Sequence, residues 1–173
     1  KGKRIKLEGV DTIADGTAVA EVGSYTYDIA KDYVDDWITV TDEEILMAFT
    51  NLMEKHKLVA EPSGALSLAA LNKLNFYNKN AVSIISGGNI DMSFISQLIN
   101  RGLYETGRIT RINVEVPNIP GKLQSLLADI ASTKANVISI DHDSLKEASR
   151  FKNINVEITL ETNGPDPVSY THL

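Results

Sequence analysis

The strongest constraint on the fold is an alternation of apolar and polar residues that recurs three times in the C-terminal half. It covers residues 112–116, 138–140 and 154–160. A period of two places every second side chain on one face of a sheet, so each segment is predicted to be a strand with one buried face. Leucines and an isoleucine over 123–130 follow helical spacing instead. The order β-α-β-β over 105–164 predicts a truncated ferredoxin-like domain. It contains three quarters or less of the full β-α-β-β-α-β order.

Residues 1–104 show a different pattern, in which helical segments alternate with short β-prone runs. Apolar residues at helical spacing predict four helices, which begin at or just after these positions: Ser24, Thr41, Pro62 and Asp91. The runs 37–40 and 81–85 are predicted to be strands, and the second is expected to be buried in a parallel sheet. Helices alternating with buried strands predict a partial open α/β sheet.

Composition excludes several classes of function. The chain has 173 residues, of which 43% are hydrophobic, and a formal charge of -6 with scattered basic residues. A nucleic-acid partner is not expected, because phosphate binding needs clustered positive charge. A membrane partner is not expected, since no apolar run approaches the ~20 residues of a span. The absence of cysteine and the spacing of the three histidines predict no metal site. We expect a cytoplasmic location.

The turn Ser86-Gly87-Gly88-Asn89 lies between a predicted strand and a predicted helix. Ligands of open parallel sheets bind beyond the carboxyl ends of the strands, and glycines permit close approach of the backbone. The same pattern also serves as a plain tight connection. Two further positions have a functional and a structural interpretation: Gly16 follows a small turn, and Glu61 precedes a helix whose dipole favours a carboxylate.

Together these segments resemble the threonine dehydratases (threonine ammonia-lyases), which are pyridoxal-phosphate enzymes of fold-type II. Serine racemases and serine dehydratases are related to them. The resemblance covers about residues 5–104 and rests on four motifs in the same order: Thr12-Ile13-Ala14-Asp15-Gly16, Tyr33-Val34-Asp35-Asp36, Ala60-Glu61-Pro62-Ser63-Gly64-Ala65 and Ile84-Ile85-Ser86-Gly87-Gly88-Asn89-Ile90.

The resemblance implies the cofactor pyridoxal 5'-phosphate and names the residues that contact it. Ser86 would hydrogen-bond the pyridine nitrogen and Gly87 would also bind the cofactor, while Gly16 would line the ring and Glu61 would lie near the pocket. The implied activity is β-elimination of threonine, or of serine, to a 2-oxo acid and ammonia. A serine dehydratase or racemase is the alternative within the family.

The family's catalytic lysine and its glycine-rich phosphate loop lie upstream of these motifs. No Ser-x-Lys motif and no glycine run precede Thr12 in this sequence. We therefore expect the chain to be the C-terminal part of a longer enzyme, with no catalytic residue of its own, and to be inactive in isolation. The tail 165–173 has no helical period, and we expect it to be foreign to the protein.

The C-terminal unit resembles an ACT domain, a small regulatory module that binds amino acids. The run Val114–Leu123 matches the strand-to-helix turn of that family, and Ala135-Asn136-Val137-Ile138 matches the start of its second strand. Asn118, Gly121 and Asn136 are the effector-binding residues that this resemblance implies. ACT domains pair, so it also implies a homo-oligomer, a dimer or tetramer, with an amino-acid effector.

Simpler explanations of these residues stay open at the level of the sequence. Asn118 would serve as a helix cap, and Asn136 would shape a turn. A non-catalytic, amino-acid-binding regulatory module is the rival from another functional class. It leaves the Ser86 turn without a role. A nucleotide-binding domain is disfavoured because the sequence contains neither a Gly-x-Gly-x-x-Gly nor a Gly-Lys-Ser/Thr signature.

Overall fold

A computed structural model describes residues 3–75, 77–142 and 153–162. The chain divides into two compact units, residues 1–99 and 100–173. Within the described residues, no helix is long and apolar enough to cross a membrane. The tail 165–173, which the sequence suggests is foreign, lies outside the described residues.

The N-terminal unit is helical, and all four predicted helices are confirmed. The elements, in order, are a 3-10 turn at Asp15–Thr17, α1 at Ser24–Tyr33, α2 at Asp42–Asn51 with a π turn at Leu52–His56, a 3-10 turn at Pro62–Ala65 that leads into α3 at Leu66–Leu71, and α4 at Met92–Glu105, whose last residues belong to the second unit. The start of α2 is fixed by the predicted capping box. Thr41 N donates to Glu44 Oε2 at 2.7 Å, and Glu44 N donates to Thr41 Oγ1 at 3.3 Å.

Helix α2 forms the core of this unit because both of its apolar flanks are buried. One flank, with Ile45 and Ala48, packs against small residues that include Ala65 and Ala69. The other flank, with Leu46 and Phe49, packs against Ile95 and Leu98 of α4. Small side chains on the α3 side allow α3 and the 3-10 turn before it to approach α2 closely. This packing holds the segment that begins at Glu61 in place.

The two strands expected in this unit are not formed within the described residues, which corrects the open-sheet prediction. Residues 37–40 and 81–85 have no secondary structure, and Val82 and Ile84 are 89% and 75% exposed. A strand is stabilised by a hydrogen-bonded neighbour, and no described residue supplies one here. Residues 83 and 84 instead bond to α3. Ser67 Oγ lies 2.9 Å from Ser83 Oγ and donates to the Ile84 carbonyl oxygen at 2.6 Å.

The C-terminal unit confirms the predicted β-α-β-β order. Its elements are β1 at Ile109–Pro117, α5 at Lys122–Ser132, β2 at Asn136–His142 and β3 at Asn153–Glu161. The sheet is antiparallel in the order β1-β3-β2, with an irregularity in β2 between Val137 and Ser139. The central strand contributes most of the buried residues, and the apolar face of α5 packs on the same cluster. The mixed α/β character of the chain therefore comes from this small sheet.

Candidate functional site

The first part of the site is the 3-10 turn that carries Gly16. The segment before this turn is hydrogen-bonded to α2. The Asp42 carboxylate accepts from Thr12 Oγ1 at 2.5 Å and from Ile13 N at 3.2 Å. Ala14 is buried, and its carbonyl oxygen accepts from Thr17 N at 3.0 Å. Gly16 is exposed beside this anchored segment. The core thus fixes the position of a residue that faces solvent.

The second part is formed where residues 61–64 lie against residues 86–87. Glu61 N donates to the Gly87 carbonyl oxygen at 3.1 Å, and Ser86 N donates to the Gly64 carbonyl oxygen at 3.4 Å. Gly64 is buried, and a Cβ there would collide with the carbonyl oxygen of Ser86. A glycine is therefore required for the two backbones to approach so closely. Ser86 itself is exposed, so its side chain is accessible from solvent.

The carboxylate of Glu61 lies next to both parts of the site. A Cβ at Gly16 would lie 3.4 Å from Glu61 Oε1, and a Cβ at Gly87 would collide with the same oxygen. Gly87 also has a φ of +68°, which side-chain-bearing residues rarely adopt. The structure therefore brings Gly16, Glu61, Ser86 and Gly87 together from three segments of the chain.

Ser63 belongs to the same site, and the sequence reasoning did not select it. Its hydroxyl oxygen is buried and has no hydrogen-bond partner among the residues that the structure describes. A Cβ at Gly16 would lie 2.9 Å from this oxygen. The only sequence signal was its position between Glu61 and Gly64, in a motif already chosen for other reasons.

A cavity of about 480 Å³ opens beside these residues. Its lining is Asp15, Glu61, Pro62, Asn89, Ile90, Asp91 and Phe94. Hydrogen bonds from the Ser93 side chain, and then from the backbone of Ser93 and Phe94, lower the pKa of Asp91. The three carboxylates of this lining disfavour the binding of a phosphate dianion in the cavity. Across the described ranges, no group of three or more histidine or acidic side chains is placed to hold a metal ion.

The predicted effector residues lie at opposite ends of the C-terminal sheet. Pro117, just before Asn118, pairs with Asn153 at the start of β3, whereas Asn136 pairs with Glu161 at its end. Eight residue steps along a strand separate these positions by about 27 Å. The side chain of Asn136 donates to Glu161 Oε2 at 3.4 Å. One copy of the unit therefore does not bring Asn118 and Asn136 together.

Gly121 lies at the start of α5, in the left-handed region with a φ of +89° and a ψ of -15°. Asn118 is exposed in the loop before it, and Gly121 itself is the N-cap residue of the helix. Asn118 is therefore not the N-cap residue of α5, because Gly121 occupies that position.

Comparison with known proteins gives consistent matches. The model of the family "Pyridoxal-phosphate dependent enzyme" matches residues 1–87. The chain is 40% identical to the L-threonine ammonia-lyase of Thermotoga maritima over 163 residues, which is 94% of this chain and 41% of that protein. It is 39% identical to the L-threonine ammonia-lyase of Geobacter sulfurreducens over 166 residues, 95% of this chain and 41% of that protein. The chain thus spans about two fifths of the length of these curated relatives.

A solved structure of a threonine deaminase is also similar to this chain. The processed form of threonine deaminase isoform 2 from Solanum lycopersicum superposes with a TM-score of 0.51 at 34% sequence identity. The superposition covers 57% of this chain and 30% of the other chain.

Proposed function

Because this chain belongs to the family of pyridoxal-phosphate dependent enzymes, we propose that it is part of a threonine ammonia-lyase. The reaction is the β-elimination of threonine, or of serine, to a 2-oxo acid and ammonia. Two relatives that carry the name L-threonine ammonia-lyase support this choice, at 40% and 39% identity over most of the chain. The serine dehydratase or racemase activity remains an alternative that the assay below separates.

One structural observation carries the proposal: the Glu61 carboxylate lies between Gly16 and Gly87, beside the exposed Ser86. The residues present fit the cofactor, because Gly16 and Ser86 are exposed and Ser63 holds a buried hydroxyl without a partner among the described residues. Pyridoxal phosphate, when bound, supplies an electron sink for the reaction.

The residues of this chain would bind and orient the ring. The Ser86 hydroxyl would form the hydrogen bond to the pyridine nitrogen, and a neutral hydroxyl leaves that nitrogen without a proton. The backbone bond between Ser86 N and the Gly64 carbonyl oxygen holds the serine in place for this role. Gly16 and Gly87 would allow the ring to approach the backbone closely. We also propose that the Schiff-base lysine comes from residues other than these 173, so the chain alone is inactive.

We propose that the C-terminal unit binds an amino-acid effector as an ACT-type module. Asn118 and Gly121 lie at one end of the sheet and Asn136 at the other, so a site that uses all three needs two copies. A homo-oligomer in which Asn118 of one copy faces Asn136 of the other supplies that arrangement. Binding between two copies would couple the effector to the arrangement of subunits.

The test of the reaction uses the full-length protein loaded with pyridoxal phosphate. We expect 2-oxobutanoate from threonine and pyruvate from serine, and a large loss of both in Ser86→Ala. Gly88→Ala is the control, because a Cβ at Gly88 meets nothing within 4 Å. Pyruvate from serine without 2-oxobutanoate from threonine would support the serine dehydratase alternative, and D-serine without either 2-oxo acid would support the racemase alternative. No reaction with either amino acid would refute the proposal.

The test of regulation is calorimetric titration of the full-length protein with isoleucine and valine, because serine and threonine would also bind as substrates. We expect binding of at least one of them, which Asn118→Ala and Asn136→Ala each abolish. Binding that survives both substitutions would contradict the assignment of this site. The isolated 173-residue chain, incubated with cofactor and threonine, is expected to form no 2-oxobutanoate.

A further inference from the structure

The hydroxyl of Ser63 is buried beside Gly16, and it has no hydrogen-bond partner among the described residues. A buried hydroxyl without a partner loses its bonds to water and gains none in return. Because most buried polar atoms are paired, an exception calls for a physical reason. Ser67 shows the usual case four residues later, since its hydroxyl bonds to both Ser83 Oγ and the Ile84 carbonyl oxygen.

The carboxylate of Glu61 lies close to the Ser63 hydroxyl, on the same side of Gly16. A Cβ at Gly16 would lie 2.9 Å from Ser63 Oγ and 3.4 Å from Glu61 Oε1, so both oxygens approach the same point. An ionised carboxylate only accepts hydrogen bonds, and a serine hydroxyl donates one.

The carboxylate lies against the Cα surface of Gly87, where a Cβ would collide with Glu61 Oε1. That surface and the exposed Gly16 are where the proposed function places the cofactor ring. A ring bound there would require the carboxylate to move from Gly87, and the buried hydroxyl of Ser63 lies beside it as a donor without a partner among the described residues.

We propose that Ser63 is a positioning residue that donates a hydrogen bond to the Glu61 carboxylate when the cofactor is bound. The inference rests on the proposed function, because it needs a ligand over Gly16 and Gly87. It explains why the hydroxyl is unpaired without the ligand.

The experiment is a double-mutant cycle in the full-length protein with Ser63→Ala and Glu61→Ala. The dissociation constant of pyridoxal phosphate is measured by the change in its absorbance, and the melting temperature is measured without cofactor. We expect Ser63→Ala to weaken binding about tenfold, the size of one hydrogen bond to a charged group. In the Glu61→Ala background the same substitution should change binding less than about twofold.

The control is Ser67→Ala, which removes a hydroxyl that is paired without the ligand. We expect it to lower the melting temperature of the cofactor-free protein, whereas Ser63→Ala should leave that temperature unchanged or raise it. Equal losses of binding from Ser63→Ala in both backgrounds, or a melting temperature lowered as much as by Ser67→Ala, would overturn the inference. If the unsubstituted protein does not bind pyridoxal phosphate, the proposed function fails and this inference with it.

Discussion

Replacement of Gly64 by alanine tests the central geometric claim, that residues 61–64 and 86–87 need a glycine to meet. A Cβ at Gly64 would collide with the carbonyl oxygen of Ser86, which is backbone and has no side-chain torsion to relieve the overlap. The two segments must separate. Separation breaks the bonds from Glu61 N to the Gly87 carbonyl oxygen and from Ser86 N to the Gly64 carbonyl oxygen.

The expected cost follows from these contacts. Overpacking of a buried site costs about 1–3 kcal/mol. Loss of two backbone hydrogen bonds adds about 1 kcal/mol each. We therefore expect Gly64→Ala to lower the free energy of unfolding by about 3–5 kcal/mol. That is a large fraction of the about 5–15 kcal/mol by which proteins are stable.

Urea denaturation of the chain, followed by far-UV circular dichroism, measures this loss. Gly88→Ala is the matched control, because Gly88 lies in the 86–89 turn that Gly64 contacts, has no positive φ, and a Cβ there meets nothing within 4 Å. We expect its stability to be unchanged or raised by up to about 1 kcal/mol, since alanine restricts the unfolded chain. A Gly64→Ala variant within about 0.5 kcal/mol of the Gly88→Ala variant would refute the reasoning.

Three further predictions concern other parts of the molecule. Gly121 has a φ of +89°, so Gly121→Ala should destabilise the C-terminal unit by about 1–2 kcal/mol. Gly121→Asn should cost less, because asparagine tolerates this conformation better. Equal urea midpoints for the two variants would contradict this prediction. Thr41→Ala removes the N-cap of α2 and should cost about 1 kcal/mol in urea denaturation, while Thr41→Ser should restore most of it. The pKa of Asp91 is lowered by its bonds from Ser93, so its contribution to stability is present above the ordinary aspartate pKa and is lost as the pH falls through the lower value. Acid titration of unfolding should therefore show a smaller loss in Ser93→Ala than in the unsubstituted chain; an identical loss would contradict the assignment.

Local chemistry was sufficient to predict the helices and the C-terminal β-α-β-β unit. The Thr41–Glu44 capping box and the spacing of apolar residues act over three to eight positions, so they can be read without a partner segment. The alternation over 154–160 likewise predicted a strand with one buried face, and Val156 and Ile158 are fully buried. These features are properties of neighbours in the chain.

The two strands at 37–40 and 81–85 were predicted wrongly, because a β-prone run becomes a strand only beside another strand. Val82 and Ile84 are of residue types that are common in buried strands, but both are exposed in the structure. The hydrogen bonds of residues 83 and 84 go to Ser67 instead. Their neighbours are set by tertiary contacts, which no local pattern encodes.

By itself, the sequence determined the family resemblance, the helices and the identity of Gly16, Glu61 and Ser86 as candidates. Only the tertiary structure decided that the Glu61 carboxylate lies between Gly16 and Gly87, and that the buried Ser63 hydroxyl has no partner among the described residues. It also decided that Asn118 and Asn136 lie about 27 Å apart along the sheet. The physical reason is the same in each case: composition and spacing determine what a side chain can do, whereas its distance from other groups depends on how distant segments pack.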